Sequence, residues 1–178
     1  LNENIGDKVR HIIPSSEANV EYFGGKVLNA DAMSEEYINN KTVKQYLDDE
    51  DCAVILFENP PYHDESSGMD KGKVERSGKR GSYVLSEMKK EVNGVATNEI
   101  ANQFIWSSFK YYLRQDTDSY IVFSPIKYWK QYDFINATPV SAYAFNRKHF
   151  HASPSAVLCV LWKNWKNAPA KVEVINAD

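Results

Sequence analysis

The tetrapeptide Asn59-Pro60-Pro61-Tyr62 is the segment whose residue types and spacing could do chemistry. An amine conjugated to an aromatic ring is a poor nucleophile, because its lone pair is delocalised. Hydrogen bonds accepted from both of its protons favour a pyramidal nitrogen with a freer pair. The Asn59 side-chain oxygen and the Pro60 carbonyl could accept them if the backbone is rigid. Prolines supply that rigidity, since they fix φ and carry no competing N–H. Tyr62 could stack on a base flipped out of its helix. Delivery of an activated methyl group to such an amine needs in-line approach, so positioning does most of the work. With proline at about 5% of residues, a chance match to this pattern is expected in well under about 1% of chains this long. The alternative is a diproline turn that merely stops a strand.

The elements that must position this segment follow from the hydrophobic pattern. Cys52 to Phe57 is a continuous apolar run between turn signals, typical of a strand buried on both faces. The tetrapeptide falls at its C-terminal end, where open α/β sheets bind ligands. Upstream, Lys26 to Asn29 predicts a short strand leading into Ala30-Asp31-Ala32, and residues 1–22 carry no assignment. Ser34 is a plausible N-cap, with Glu35 and Glu36 in the first turn, for a helix to about Leu47 ended by the acidic turn 48–51. Residues 63–97 read as a long polar loop with Gly68, Gly72, Gly78 and Gly81.

A helix is expected from Asn98 to Gln115, where apolar pairs recur from Ile100/Ala101 to Tyr112/Leu113. Tyr120 to Phe123 predicts a buried strand, broken by Pro125 and followed by a short aromatic helix from Ile126 to about Tyr132. Pro139 to Phe145 and Ala156 to Trp162 predict two more strands. This order indicates a single α/β domain over residues 1–178, with a mostly parallel sheet flanked by helices and an antiparallel final strand pair.

Composition bounds the function. The 178 residues are 43% hydrophobic and 25% charged, as in globular domains. No apolar run is long enough for a membrane span, and no secretory leader is visible. Cys52 and Cys159 sit in apolar runs and read as buried, reduced thiols, which suits a cytoplasmic protein. The net charge of −3 excludes a uniformly basic nucleic-acid binder, so any grip on nucleic acid must be local or supplied by another segment.

Phe57-Glu58-Asn59-Pro60-Pro61-Tyr62 resembles motif IV of the N6-adenine DNA methyltransferases, and further segments follow that family's order. Val27 to Met33 is similar to motif III, Tyr120 to Pro125 to motif VI, and Ala142 to Phe150 to motif VIII. The helix from Asn98 matches the one after motif IV. Coverage runs from about Lys26 to Trp162, and only motif IV is specific. The resemblance implies a partial Rossmann-like methyltransferase fold using S-adenosylmethionine on duplex DNA with a flipped adenine, in a bacterial restriction-modification system. It implies that Asn59 and the Pro60 carbonyl orient the amine, with Pro61 stiffening the turn and Tyr62 stacking. Phe145 or Phe150 would close the sandwich. Asp31 would hold the cofactor's adenine; the alternative is a solvated acid in a strand-to-helix turn.

The chain departs from the family in lacking the donor-binding F-x-G-x-G turn. Phe23-Gly24-Gly25 is the nearest candidate, and it stands too close to Asn59 with the wrong spacing. The donor-binding strands and a target-recognition domain are therefore expected on residues outside this chain, which alone is expected to be inactive. Missing strands would leave an open edge or apolar face, so self-association is expected. His149 and His151 with His63 are a weak metal signal, read as a solvated loop; no metal is expected. Lys71, Lys73, Arg76, Lys79 and Arg80 could contact phosphates or form a solvated loop. Trp106, Trp129, Trp162 and Trp165 read as packing residues. Asp64 and Glu65 have no role, because methyl transfer to an amine needs no strong base. Two other functions stay open. One is a methyltransferase for RNA bases or protein glutamine; the other is a non-catalytic domain that binds DNA or a partner.

Overall fold

The computed structural model describes residues 19–22, 25–28, 30–60, 82–125, 137–150, 155–163 and 171–177. In chain order the first elements are β1 (Asn19–Tyr22), β2 (Gly25–Leu28), α1 (Glu35–Ile38), α2 (Lys41–Leu47) and β3 (Ile55–Glu58). They are followed by α3 (Tyr83–Glu91), α4 (Ile100–Ser107), β4 (Ser119–Pro125), β5 (Thr138–Asn146), β6 (Ala156–Lys163) and β7 (Glu173–Asn176).

Five strands form one sheet in the order β3-β4-β6-β5-β7. β3 pairs parallel with β4 and β5 parallel with β7, whereas β6 runs antiparallel to both β4 and β5. The architecture is α/β with a mixed sheet, which corrects the expectation of a mostly parallel one. The connection from β5 to β6 is too short for a crossover, so β6 folds back as an antiparallel partner. The final antiparallel pair was legible in the sequence; β7 was not expected.

The strand at 26–29 was expected to join this sheet. Its residues form β2 instead, paired antiparallel with β1 in a separate two-stranded sheet, Tyr22 opposite Gly25. Local hairpin pairing with the unassigned segment before it has won. The helix expected from Ser34 to Leu47 is two helices, because Asn40 starts a second one by accepting the Thr42 N–H on its own side chain at 2.9 Å. Ser34 is the N-cap of α1, accepting from the Tyr37 N–H at 3.1 Å.

Within the span read as a loop, residues 83–91 are helical. Ser82 caps α3 by accepting the Leu85 N–H, and Val84, Leu85 and Met88 give it one buried stripe. Ser86, Glu87, Lys89, Lys90 and Glu91 make up most of the rest of this helix and hid that stripe in the sequence.

α4 is enclosed on nearly every side and joins two clusters. Ala101 and Ile105 pack on the sheet face formed by Tyr120, Val122, Ala142, Leu158, Val160 and Trp162. Trp106 packs with Met33, Ile38, Val84, Met88 and Tyr112 beneath the other helices, and Leu56 contacts both clusters. Trp106 and Trp162 are thus core residues as expected; Trp129 and Trp165 lie outside the described residues. After Ser107 the helix widens into one π turn, Ser108–Tyr112, in which the Leu113 N–H donates to the Ser108 carbonyl at 3.1 Å.

At one end of the β3–β4 pair, Asp118 ties the chain together. Its Oδ1 accepts the Val54 N–H at 2.8 Å, and its Oδ2 accepts those of Arg114 and Gln115 at 2.6 and 3.0 Å. The Ser119 N–H then donates to the Val54 carbonyl at 2.9 Å, which starts the parallel register. The Arg114 guanidinium donates to the carbonyls of Tyr46, Leu47, Asp49 and Cys52, fastening the end of α2 to the same point.

Candidate functional site

The opposite end of the pair carries Asn59 and Pro60. β3 was expected to be buried on both faces, but it is an edge strand in which Ile55 and Phe57 are each 67% exposed. An apolar run alone cannot distinguish a covered face from an uncovered one. Leu56 and Glu58 alternate with them and turn inward.

Directly after Glu58, Asn59 is exposed and Pro60 is buried. A buried proline fixes the backbone beside the exposed Asn59. Pro61 and Tyr62, the rest of the sequence-predicted site, lie outside the described residues, as do His63, residues 64 and 65 and the basic residues from Lys71 to Arg80.

Phe145 lies near the end of β5, opposite Val157, which in turn faces Pro125 at the end of β4. β4 and β5 therefore finish at the same end of the sheet as β3. A row of edge-on aromatic contacts crosses the three strands there. Phe57 and Phe123 have ring centroids 5.5 Å apart, Phe123 and Phe145 5.8 Å, and Phe145 and His149 6.4 Å. Asn59 and Phe145 thus share one sheet end. Phe150 closes the short 3-10 turn Arg147–Phe150 after β5, and its side chain lies outside the described residues.

Asp31 is exposed in the turn before α1, not at the end of a strand of the main sheet. Its Oδ1 accepts the Met33 N–H at 2.9 Å, and its carbonyl accepts from Ser34 N–H and Oγ at 3.0 and 2.7 Å. One carboxylate oxygen holds the turn at the surface. Among the described residues no glycine-rich turn stands with it to cradle a donor such as S-adenosylmethionine. Among the described residues only Gly94, at φ 101°, has a positive φ, and it opens the 3-10 turn Val95–Asn98 beside α4. Among the described residues no three of His, Cys, Asp and Glu gather as a metal site. Cys52 and Cys159 are both free and half-buried.

Sequence reasoning missed the polar pocket behind the tetrapeptide. Glu58 Oε2 accepts the Tyr120 hydroxyl at 2.7 Å, and the Ser108 hydroxyl lies 3.2 Å from both carboxylate oxygens. Burial raises the Glu58 carboxyl above the usual carboxylate range, while these two hydrogen bonds work against the rise. Burial, with the Glu58 charge beside it, also raises the Tyr120 and Tyr112 phenols. The signal that could have found this cluster is an acid closing an apolar strand, with a tyrosine on the next strand two residues before the acid's register partner Val122.

Neither a family model nor a curated protein sequence matches the chain. Among solved structures, the Type IIL restriction-modification enzyme MmeI, determined in complex with DNA, is similar. The TM-score is 0.52 and the identity 12%, over 97% of this chain and 22% of that one. The likeness is one of fold. The chain spans about a fifth of the length of that enzyme.

No helix among the described residues is long and apolar enough to cross a membrane.

Proposed function

We propose that this chain is the amine-binding segment of a DNA methyltransferase that methylates adenine N6, as one part of a restriction-modification enzyme. The observation that carries the reading is the end of β3, where exposed Asn59 and buried Pro60 stand at the same sheet end as Phe145. The fold likeness to a stretch of a restriction-modification enzyme solved with DNA supports the same reading.

On this reading the Asn59 side-chain oxygen and the Pro60 carbonyl accept the two protons of the adenine amine and free its lone pair. Tyr62 stacks on one face of the flipped base, and Phe145 or Phe150 on the other. Pro61 keeps the turn from relaxing. Asp31 accepts from the adenine of the methyl donor. S-adenosylmethionine, when bound, supplies the activated methyl group. The amine gives up one proton to water as the new carbon–nitrogen bond completes. The remaining partners are a donor-binding segment and a target-recognition domain, with self-association through the open β3 edge as a further contact.

The protein expressed from its complete reading frame is the material for the test, with S-adenosylmethionine labelled in its methyl group. Label recovered as N6-methyladenine in DNA supports the reading. Label in RNA or on protein glutamine moves the same chemistry to another substrate. A protein that binds DNA and transfers no label is a non-catalytic binder, and the proposal fails.

A further inference from the structure

Glu58 is an expensive residue at a telling place. It is the last residue of β3, and Asn59 and Pro60 follow it directly. Its carboxylate turns inward, where its partners are the hydroxyls of Tyr120 and Ser108, both residues wholly enclosed. Among the described residues no lysine or arginine forms an ion pair with it. A buried carboxylate held only by neutral donors costs stability compared with an apolar residue of similar size.

The partners also come at a cost. Ser108 opens the π turn that ends α4, and such turns are rare departures from helix geometry that recur at functional sites. Tyr112 closes that turn, and its hydroxyl is enclosed without a hydrogen bond among the described residues. Its phenol is raised by burial first and also by the Glu58 charge. β4 and the π turn thus each contribute a hydroxyl to one acid.

Resting on the methyl-transfer reading above, we infer that Glu58 is a positioning residue, clamped by Tyr120 and Ser108 so that Asn59 and the Pro60 carbonyl keep the spacing a base amine requires. Glu58 does not touch the base. β3 stands at the edge of the described sheet, with Ile55 and Phe57 exposed and β4 as its one described strand partner. The clamp adds rigidity to its end from behind.

Three variants test this in the protein expressed from its complete reading frame: Glu58→Ala, Glu58→Gln and Tyr120→Phe. The first readout is methyl transfer to DNA. Glu58→Ala is expected to lower kcat about 100-fold with KM for DNA within about two-fold, as for a small misplacement of reacting groups. Glu58→Gln keeps an acceptor for Tyr120 and is expected to recover most of the rate. The second readout is hydrogen–deuterium exchange of the peptide spanning residues 55–62, which needs no activity. Exchange there is expected to rise about ten-fold in Glu58→Ala, less in Tyr120→Phe, and to stay near wild type in Glu58→Gln, with residues 119–125 unchanged. If Glu58→Ala fails to fold, Tyr120→Phe keeps the ring in the core and carries the test. Unchanged exchange at 55–62, or a rise spread equally over β4 and β6, overturns the clamp. A wild type that transfers no methyl to adenine refutes the methyltransferase reading alone, because the exchange experiment still decides the clamp.

Discussion

Two carboxylates stand at opposite ends of the β3–β4 pair, Asp118 fully enclosed and Glu58 part-buried, and they are built in opposite ways. Asp118 takes three backbone N–H groups, and Arg114 Nε lies 3.5 Å from its Oδ2. Burial pushes its carboxyl up, but those donors and the Arg114 charge outweigh burial and leave it below the usual range. Glu58 takes two side-chain hydroxyls and no cation, burial dominates, and its carboxyl is left above that range. One end is a stable knot; the other keeps a costly charge beside exposed Asn59. The contrast teaches where the molecule invests in holding together and where it accepts instability to hold a loop end still.

The sharpest way to break the contrast is to remove each acid. Asp118→Ala leaves three partly buried backbone N–H groups without their acceptor, and a loss of about 3–5 kcal/mol is expected in urea unfolding. Glu58→Gln, which keeps an acceptor and removes the charge, is expected to stay within about 1 kcal/mol of wild type in the same experiment. Equal losses at the two ends would dissolve the distinction.

A finer test follows from the opposite pKa directions. Asp118 is lowered on folding, so its stabilisation is present above its unfolded pKa of about 3.9 and disappears as pH falls through the lower folded value. Glu58 is raised on folding, so its contribution is present below about 4.3 and lost as pH rises through the higher folded value. The stability difference between Glu58→Gln and wild type is therefore expected to move in favour of the variant as pH rises from about 4 towards neutrality. For Asp118→Asn, the deficit against wild type is expected to shrink as pH falls below about 4. Unfolding curves across that range read both signs; parallel curves would mean that neither acid is coupled to folding.

The smallest expected effect concerns caps far from both acids. Ser82→Ala removes the acceptor for the Leu85 N–H at the start of α3, and a loss of about 1 kcal/mol is expected in urea unfolding, with both pH slopes unchanged.

The sequence was readable wherever pattern and burial agree. The apolar runs at 120–123, 139–145 and 156–162 are strands, Ser34 is a cap, and the repeat from Ile100 gives a helix buried on both sides. It misled where a local choice depends on distant partners. β2 pairs with β1 rather than the main sheet, and nothing in Lys26 to Leu28 encodes which neighbour wins. The π turn was invisible because Ser108/Phe109 fits the helical repeat; only the Glu58 contact shows what the extra residue is for. Of the site, the tetrapeptide announces itself by composition, whereas the residues behind it are ordinary types whose meaning is their mutual distance.

The most direct measurement is the N6-methyladenine content of DNA in a host that lacks adenine methylation, after expression from the complete reading frame. The account predicts methylated adenine with the wild type and a loss of about 100-fold or more with Asn59→Ala, the scale expected when one group aligned to the reacting centre is removed. Unmethylated adenine with the wild type, or equal methylation with the Asn59→Ala variant, would contradict it.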